Sequence, residues 1–242
     1  MRLTRGIASL VIPTALALFC SQAVAEQRIG TVVLREYKGA QGTRIQSTVE
    51  ELHYGHEVYT QETVTTPANG ATVMRFHDQT QLQIGANSTV VLDNFVYDTS
   101  ADTANASIKF TKGVFRYIAG QATSEENVKL STPTTTLTIR GTKFIIQVAD
   151  DGATTVAVVE GVVDVQPCGP GQPTRATAGK AYRVSQSCDV SQSGYSPVGA
   201  IVTTDYDPAT DPGGRSAPGG PPARGGSSGG GGGFGGGGGH TD

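Results

Sequence analysis

Four histidines, three cysteines and a scatter of acidic residues are the groups through which this 242-residue chain could do chemistry. His53, His56 and Glu57 spell H-x-x-H-E. On a helix that spacing could bring two imidazoles and a carboxylate to a metal ion. A zinc protease instead places the glutamate directly after the first histidine, as H-E-x-x-H, where it serves as general base. Tyr54-Gly55-His56 also reads as a turn into a strand, in which His53 and His56 need not converge. Binding of a metal or iron chelate through His53, His56 and His77 is kept as an alternative function. His77-Asp78 and Ser88 are the residue types of a hydrolytic triad. Ser88, however, follows Gly85-Ala86-Asn87 and not the G-x-S-x-G elbow that raises a nucleophile above a sheet. Asp93, Asp98 and Asp102 lack the glycine and terminal glutamate of an EF-hand calcium loop. Turn residues and solvated acids are the expected roles. No catalytic group, metal ligand or cofactor is expected, and a secreted hydrolase with an unfamiliar site is the remoter alternative.

The cysteines take their meaning from the ends of the chain. Arg2 and Arg5 precede an apolar run over 7–19, and Ala23-Val24-Ala25 supplies small residues at the positions a signal peptidase reads. Residues 1–25 are therefore expected to be a cleaved export signal, leaving Glu26 first and the product periplasmic, secreted or at the cell surface. The apolar run is shorter than the roughly 20 residues a membrane-crossing helix needs, so no membrane span is expected in the mature form. Cys20 leaves with the signal. Cys168 and Cys188 stay in an oxidising compartment and are expected to form a disulfide. At the other end the apolar pattern thins from about 187. From 208 onward Pro, Gly and Ser dominate, and two pentaglycine runs flank Phe234. Such a composition buries too little apolar surface to offset the entropy of ordering, so 187–242 is expected to be a disordered tether.

Residues 26–186 remain as one domain. The whole chain carries a formal charge of −3, and losing Arg2 and Arg5 with the signal makes it more acidic. That balance gives no basic face for nucleic acid. Trp is absent, which disfavours sugar-stacking and aromatic-cage sites. Thr and Val are abundant, and apolar residues alternate with polar ones in Thr72-Val73-Met74-Arg75-Phe76, in Gln81-Leu82-Gln83-Ile84 and in Thr136-Leu137-Thr138-Ile139-Arg140. Alternation of this kind reads as half-buried strands. Asn69-Gly70, Gly85-Ala86-Asn87, Asp93-Asn94 and Asp150-Asp151-Gly152 punctuate the runs as turns. The fold class is all-β. Lys112-Gly113-Val114 echoes Glu160-Gly161-Val162, which favours a β-helix-like roll of stacked short strands, with a β-sandwich as the alternative. Arg140-Gly141-Thr142 predicts a bulge or sharp bend at Gly141, with Arg140 paired to Glu160 or Asp151. Glu160-Gly161 is read as a strand-entry turn.

In order along the chain, several motifs resemble the FecR domain, the periplasmic β-module of bacterial regulators. They are Gly55 with Val58, 71–76, Asp78-Gln79-Thr80 where the family has Asp-Gly-Ser/Thr, and Leu82-Gln83-Ile84 leading to Asn87-Ser88-Thr89. Leu92-Asp93-Asn94-Phe95-Val96-Tyr97-Asp98, Lys112-Gly113-Val114-Phe115-Arg116 and Thr132-Pro133 follow. Ile139-Arg140-Gly141-Thr142-Lys143-Phe144 and Glu160-Gly161-Val162-Val163-Asp164-Val165 close the series. The resemblance covers about 52–166. Full-length regulators of that family carry a cytoplasmic anti-sigma segment. Only Met1 to Gly6 precede the apolar run here, too few residues to grip a sigma factor, so direct transcriptional regulation is not expected. The resemblance implies a non-enzymatic envelope module that engages a protein or envelope component, in envelope or iron-linked signalling, with self-association as a further mode. Arg140, Tyr97 and Tyr117 are the candidate partner contacts.

Overall fold

Three long strands, each broken near its middle by one glycine, organise the molecule. The structure is a computed structural model that describes residues 26–194 apart from 35, 37, 46–48, 99, 102 and 121–123. The expected export signal with Cys20, the Pro/Gly/Ser-rich stretch 208–242, and Asp102 lie outside the described residues. The strands are β1 (Arg28–Val32), β2 (Gln41–Thr43), β3 (Val49–Glu51), β4 (Glu57–Tyr59), β5 (Glu62–Thr65), β6 (Thr72–Phe76), β7 (Gln81–Ile84) and β8 (Thr89–Asp98). They continue with β9 (Thr103–Ile118), β10 (Ser124–Ser131), β11 (Thr135–Val148), β12 (Thr154–Pro167), β13 (Thr174–Thr177), β14 (Ala181–Val184) and β15 (Val190–Ser193). The all-β class stands.

The pairings resolve into two layers that share β9, β11 and β12. One layer runs β4-β1-β6-β7-β9-β11-β12-β14-β15, using the C-terminal halves of β9 and β11 and the N-terminal half of β12. The other runs β3-β2-β5-β8-β9-β10-β11-β12-β13, using the opposite halves. Among the described residues, only the ladder of β9 with β10 is parallel. A β-helix stacks its coils through parallel ladders, so the sandwich is the arrangement these antiparallel ladders build.

Alternation along each strand sends one set of side chains between the layers. Ile108 and Phe110 of β9, Leu137 and Ile139 of β11, and Val163 and Val165 of β12 are fully buried from the second layer. Met74, Leu82, Ile84, Phe115, Phe144 and Ile146 fill the space from the first. Phe76 of β6 stacks on Phe95 of β8 across the gap, with ring centroids 4.9 Å apart.

The bends explain the echo seen in the sequence. Gly113, Gly141 and Gly161 have φ of 107°, 52° and 81°, values at which a side chain is strained. At Gly141 the register with β12 slips between Arg140 and Lys143, opposite Gly161. Each long strand can thereby leave one layer and enter the other. Lys112-Gly113-Val114 and Glu160-Gly161-Val162 resemble each other because both are corners, not because similar units stack. Glu160-Gly161 is correspondingly interior to β12 rather than a turn at its start.

At the far end the expected disulfide is present, and one strand lies beyond the expected domain boundary. Cys168 and Cys188 are bonded, with Cα atoms 5.4 Å apart. Beyond them Val190–Ser193 pairs with β14 as a regular antiparallel strand. The domain therefore extends past 186. Its last strand escaped the sequence pattern because Val-Ser-Gln-Ser is held by main-chain bonds more than by apolar burial.

Two consequences can be measured in urea. A Cβ at Gly113 would lie 2.5 Å from the Cα of Ser88, whereas one at Gly141 meets nothing within 4 Å. Gly113→Ala should cost more than about 3 kcal/mol, as steric and backbone strain combine, and Gly141→Ala about 1 kcal/mol from backbone strain alone. Equal costs would refute the steric account of the first corner. Separately, Cys168→Ser with Cys188→Ser frees a crosslink of sequence separation 20 and should lower stability by about 3 kcal/mol. An unchanged midpoint would contradict it.

Candidate interaction surface

Charged and aromatic side chains cluster where β4 of the first layer meets β2, β3 and β5 of the second. Arg44, just after β2, bonds Glu50 of β3 at 2.6 Å and reaches Glu26 at 3.4 Å. Its guanidinium carbon sits 4.7 Å from the centroid of the Tyr59 ring on β4, a cation–π contact. The Tyr59 hydroxyl donates to Glu57 at 2.7 Å, and Arg28 of β1 bonds the same carboxylate at 2.6 Å. These bonds, with the Tyr59 hydroxyl first, hold the Glu57 carboxyl below its usual range. Glu62, at the start of β5, is 3% exposed and accepts the Tyr59 backbone N–H at 2.9 Å. Burial pushes its carboxyl upward, against the opposing pull of that N–H and of the Arg44 charge. The cluster clasps the two layers together.

Next to Arg44 in the chain, and along β3 and the turn after it, large apolar side chains are exposed. Ile45, Val49 and Tyr54 are 55%, 56% and 47% exposed, and they are three of the five large hydrophobic residues exposed among the described residues. The edge strand β3 is exposed at every position. The sequence reading passed over these residues because an isolated Ile or Val in a turn looks like any other. Their significance comes from being exposed together within 45–54.

The residues singled out from the sequence fall into place unevenly. Tyr117 is buried at 3% exposure, with its ring centroid 5.3 Å from that of Phe144 on the facing strand. It belongs to the core and offers no surface, because its position on β9 alternates inward with Phe115. Tyr97 is half-buried against the core at the end of β8. Arg140 lies in β11 opposite Val162, and its side chain is outside the described atoms. Of the two carboxylates expected to pair with it, Glu160 is bonded by Lys143 at 3.0 Å, and Asp151 accepts the Ala153 N–H at 2.9 Å.

The hydrolytic trio does not assemble. Both Asp78 oxygens accept from Thr80, at 2.8 Å from its N–H and 2.6 Å from its hydroxyl, and Thr80 in turn accepts the Gly120 N–H. Gln79 in the same turn has φ of 70°, the left-handed backbone for which the family's glycine is suited. Ser88 is buried, its hydroxyl donating to the Ala86 carbonyl and accepting the Val114 N–H at 3.1 Å. His53 and His56 meet edge to face at 5.6 Å, and His53 lies 3.2 Å from Glu51. His77 is on the separate β6–β7 turn. Among the described residues no group of three His, Cys, Asp or Glu side chains is placed to hold a metal ion. A shallow hollow of about 460 Å³ is lined by Glu36, Lys38, Gly39, Pro67 and Asn69, and Lys38 and Glu36 are ion-paired at 3.3 Å within it.

The FecR protein family model matches residues 62–164, from β5 into the last corner-spanning strand. Over that segment the chain is similar to FecR proteins. Two crystal structures of a protein described as an anti-sigma factor from Parabacteroides distasonis ATCC 8503, at 1.65 and 2.50 Å resolution, are similar at 12% identity and a TM-score of 0.42. Each match covers 54% of this chain and 58% of theirs, so the chain spans less than two thirds of those structures. No curated protein matches the sequence. The 45–54 surface, and every residue of the clasp except Glu62, lie outside the segment matched by the FecR model.

Glu62 yields a test with a defined sign. A carboxyl raised in the folded state adds stability at pH below its unfolded value of about 4.3, and that contribution is lost as pH rises through the folded value. Glu62→Gln keeps an acceptor for Tyr59 and removes the buried charge. The variant should unfold at higher urea than the parent at pH 8, with the gap shrinking toward pH 4. A parent more stable than the variant at pH 8 would show that the Arg44 attraction outweighs desolvation.

Proposed function

We propose that this protein is an exported FecR-domain module of the bacterial cell envelope that works by binding another protein, in envelope or iron-linked signalling. The reading takes residues 1–25 as a signal cleaved after Ala25 and places the mature domain in the periplasm or at the cell surface. The observation that carries it is the FecR match over 62–164, within a sandwich whose conspicuous polar side chains serve its own turns and layer contacts. Ser88, Asp78, Thr80 and Glu62 are each engaged in holding the backbone.

The binding surface in this reading is the β2–β4 end. Exposed aliphatic residues beside a tyrosine suit a protein partner, because Tyr brings a large apolar ring with a polar tip and few rotamers to lose. The neighbouring Glu50 and Glu57 are already held by Arg44 and Arg28, so the patch is framed by paired charges rather than by a bare acidic surface.

Photo-crosslinking in the producing cell tests the reading. A benzoylphenylalanine placed at position 49 or 54 should give one discrete protein adduct, and one placed at position 138, on the outer face of β11, should not. Adding Tyr54→Ala to the position-49 probe should weaken the adduct several-fold, in line with a loss of about 1–2 kcal/mol. No adduct from 49 or 54, or equal labelling from 138, would refute this surface.

A further inference from the structure

Among the described residues each layer of the sandwich ends in two edge strands, and three of the four are defended against pairing with another chain. An edge strand presents unpaired N–H and C=O groups, and natural proteins blunt it with charge, proline, bulges or extreme shortness. On the second layer, β3 carries Glu50 and Glu51, and β13 carries Arg175, bonded to Asp164 at 2.9 Å, directly after Pro173 and Thr174. On the first layer, β4 is three residues long, carries Glu57 and pairs with β1 through a register slip between Arg28 and Gly30. The fourth edge is β15, Val190-Ser191-Gln192-Ser193. It has no charge, no proline and no slip in its ladder with β14, where Ala181, Tyr182, Arg183 and Val184 face Ser193, Gln192, Ser191 and Val190 in unbroken register.

The hydrogen bonding shows which groups of β15 face outward. The Ser185 N–H donates to the Asp189 carbonyl at 3.0 Å, closing the β14–β15 hairpin. Antiparallel pairs alternate between hydrogen-bonded and non-bonded. Arg183 with Ser191 and Ala181 with Ser193 are therefore the bonded pairs. Val190 and Gln192 turn their main-chain groups away from β14, toward the open edge.

We infer that β15 is a pairing edge for a second copy of this chain, joining the two first layers into one sheet through an antiparallel β15–β15 ladder. A two-fold axis through Gln192 makes the ladder self-complementary. The two Gln192 residues exchange main-chain bonds, their side-chain amides can pair, and Val190 of each copy meets Gly194 of the other. No charged residue of β15 meets its own copy, whereas a β3–β3 ladder centred on Glu50 would set like charges against each other, a destabilising arrangement. The dimer does not depend on the 45–54 surface proposed above.

Gln192→Pro tests the ladder with little cost to the fold, since the N–H it removes does not bond β14. Proline is accepted on an edge strand whose N–H faces outward. Sedimentation velocity on the full mature chain from Glu26 should show a concentration-dependent dimer at up to about 100 µM, the range for a short edge contact. Gln192→Pro and Gln192→Lys should each weaken it at least tenfold while the urea midpoint stays within about 0.5 kcal/mol of the parent's stability. Parent protein that stays monomeric throughout, or variants that dimerise as the parent does, would overturn the inference. If Gln192→Pro proves destabilised, the Gln192→Lys result decides.

Discussion

The structure depends on a backbone that turns a corner without ending. β9, β11 and β12 each contribute one half to each layer, so the two sheets are covalently continuous at three places. That is feasible because Gly113, Gly141 and Gly161 take positive φ at the corners, where a Cβ would strain the chain. Between corners the strands are rich in β-branched and aromatic residues, and the inward set closes the core. Lys112 and Glu160, the charged residues directly before two of the corners, are exposed at the bends.

Continuity through the middle leaves the flanks to be closed by other means, and the chain uses a different bond at each. At the β3/β4 flank the layers are held by ion pairs and a ring contact around Arg44 and Tyr59. At the β13/β15 flank a disulfide joins the end of β12 to the β14–β15 loop. Partly exposed ion pairs are individually weak. The Arg44 clasp gains from being shared among several partners around one buried carboxylate, Glu62. The function proposed above rests on what the sandwich presents outward: exposed apolar residues in 45–54, and the inferred dimer on the uncharged edge β15.

Much of this was legible residue by residue. Alternation in 72–76 and 81–84 located β6 and β7, and Arg140-Gly141-Thr142 located a bend where one occurs. The two cysteines expected to remain once an export signal is removed, Cys168 and Cys188, are the pair that is bonded. The FecR resemblance, read from scattered turns, agrees with the family match over 62–164. Other readings went astray for definable reasons. Tyr117 looked available because a tyrosine in a strand can face either way, and only the packing of β9 on β11 turned it inward against Phe144. β15 was assigned to the tail because its composition is polar, while its order comes from main-chain bonds to β14.

Local chemistry and order therefore determined the class: side-chain alternation, β-branching and turn residues act over a few positions, so a sequence displays them directly. Which halves of the long strands share a layer, which edges stay open, and that Arg44 of one hairpin would find Tyr59 of another were decided only in three dimensions. Those outcomes rest on contacts between segments far apart in the chain. Their energies depend on register and burial, which no single segment carries by itself.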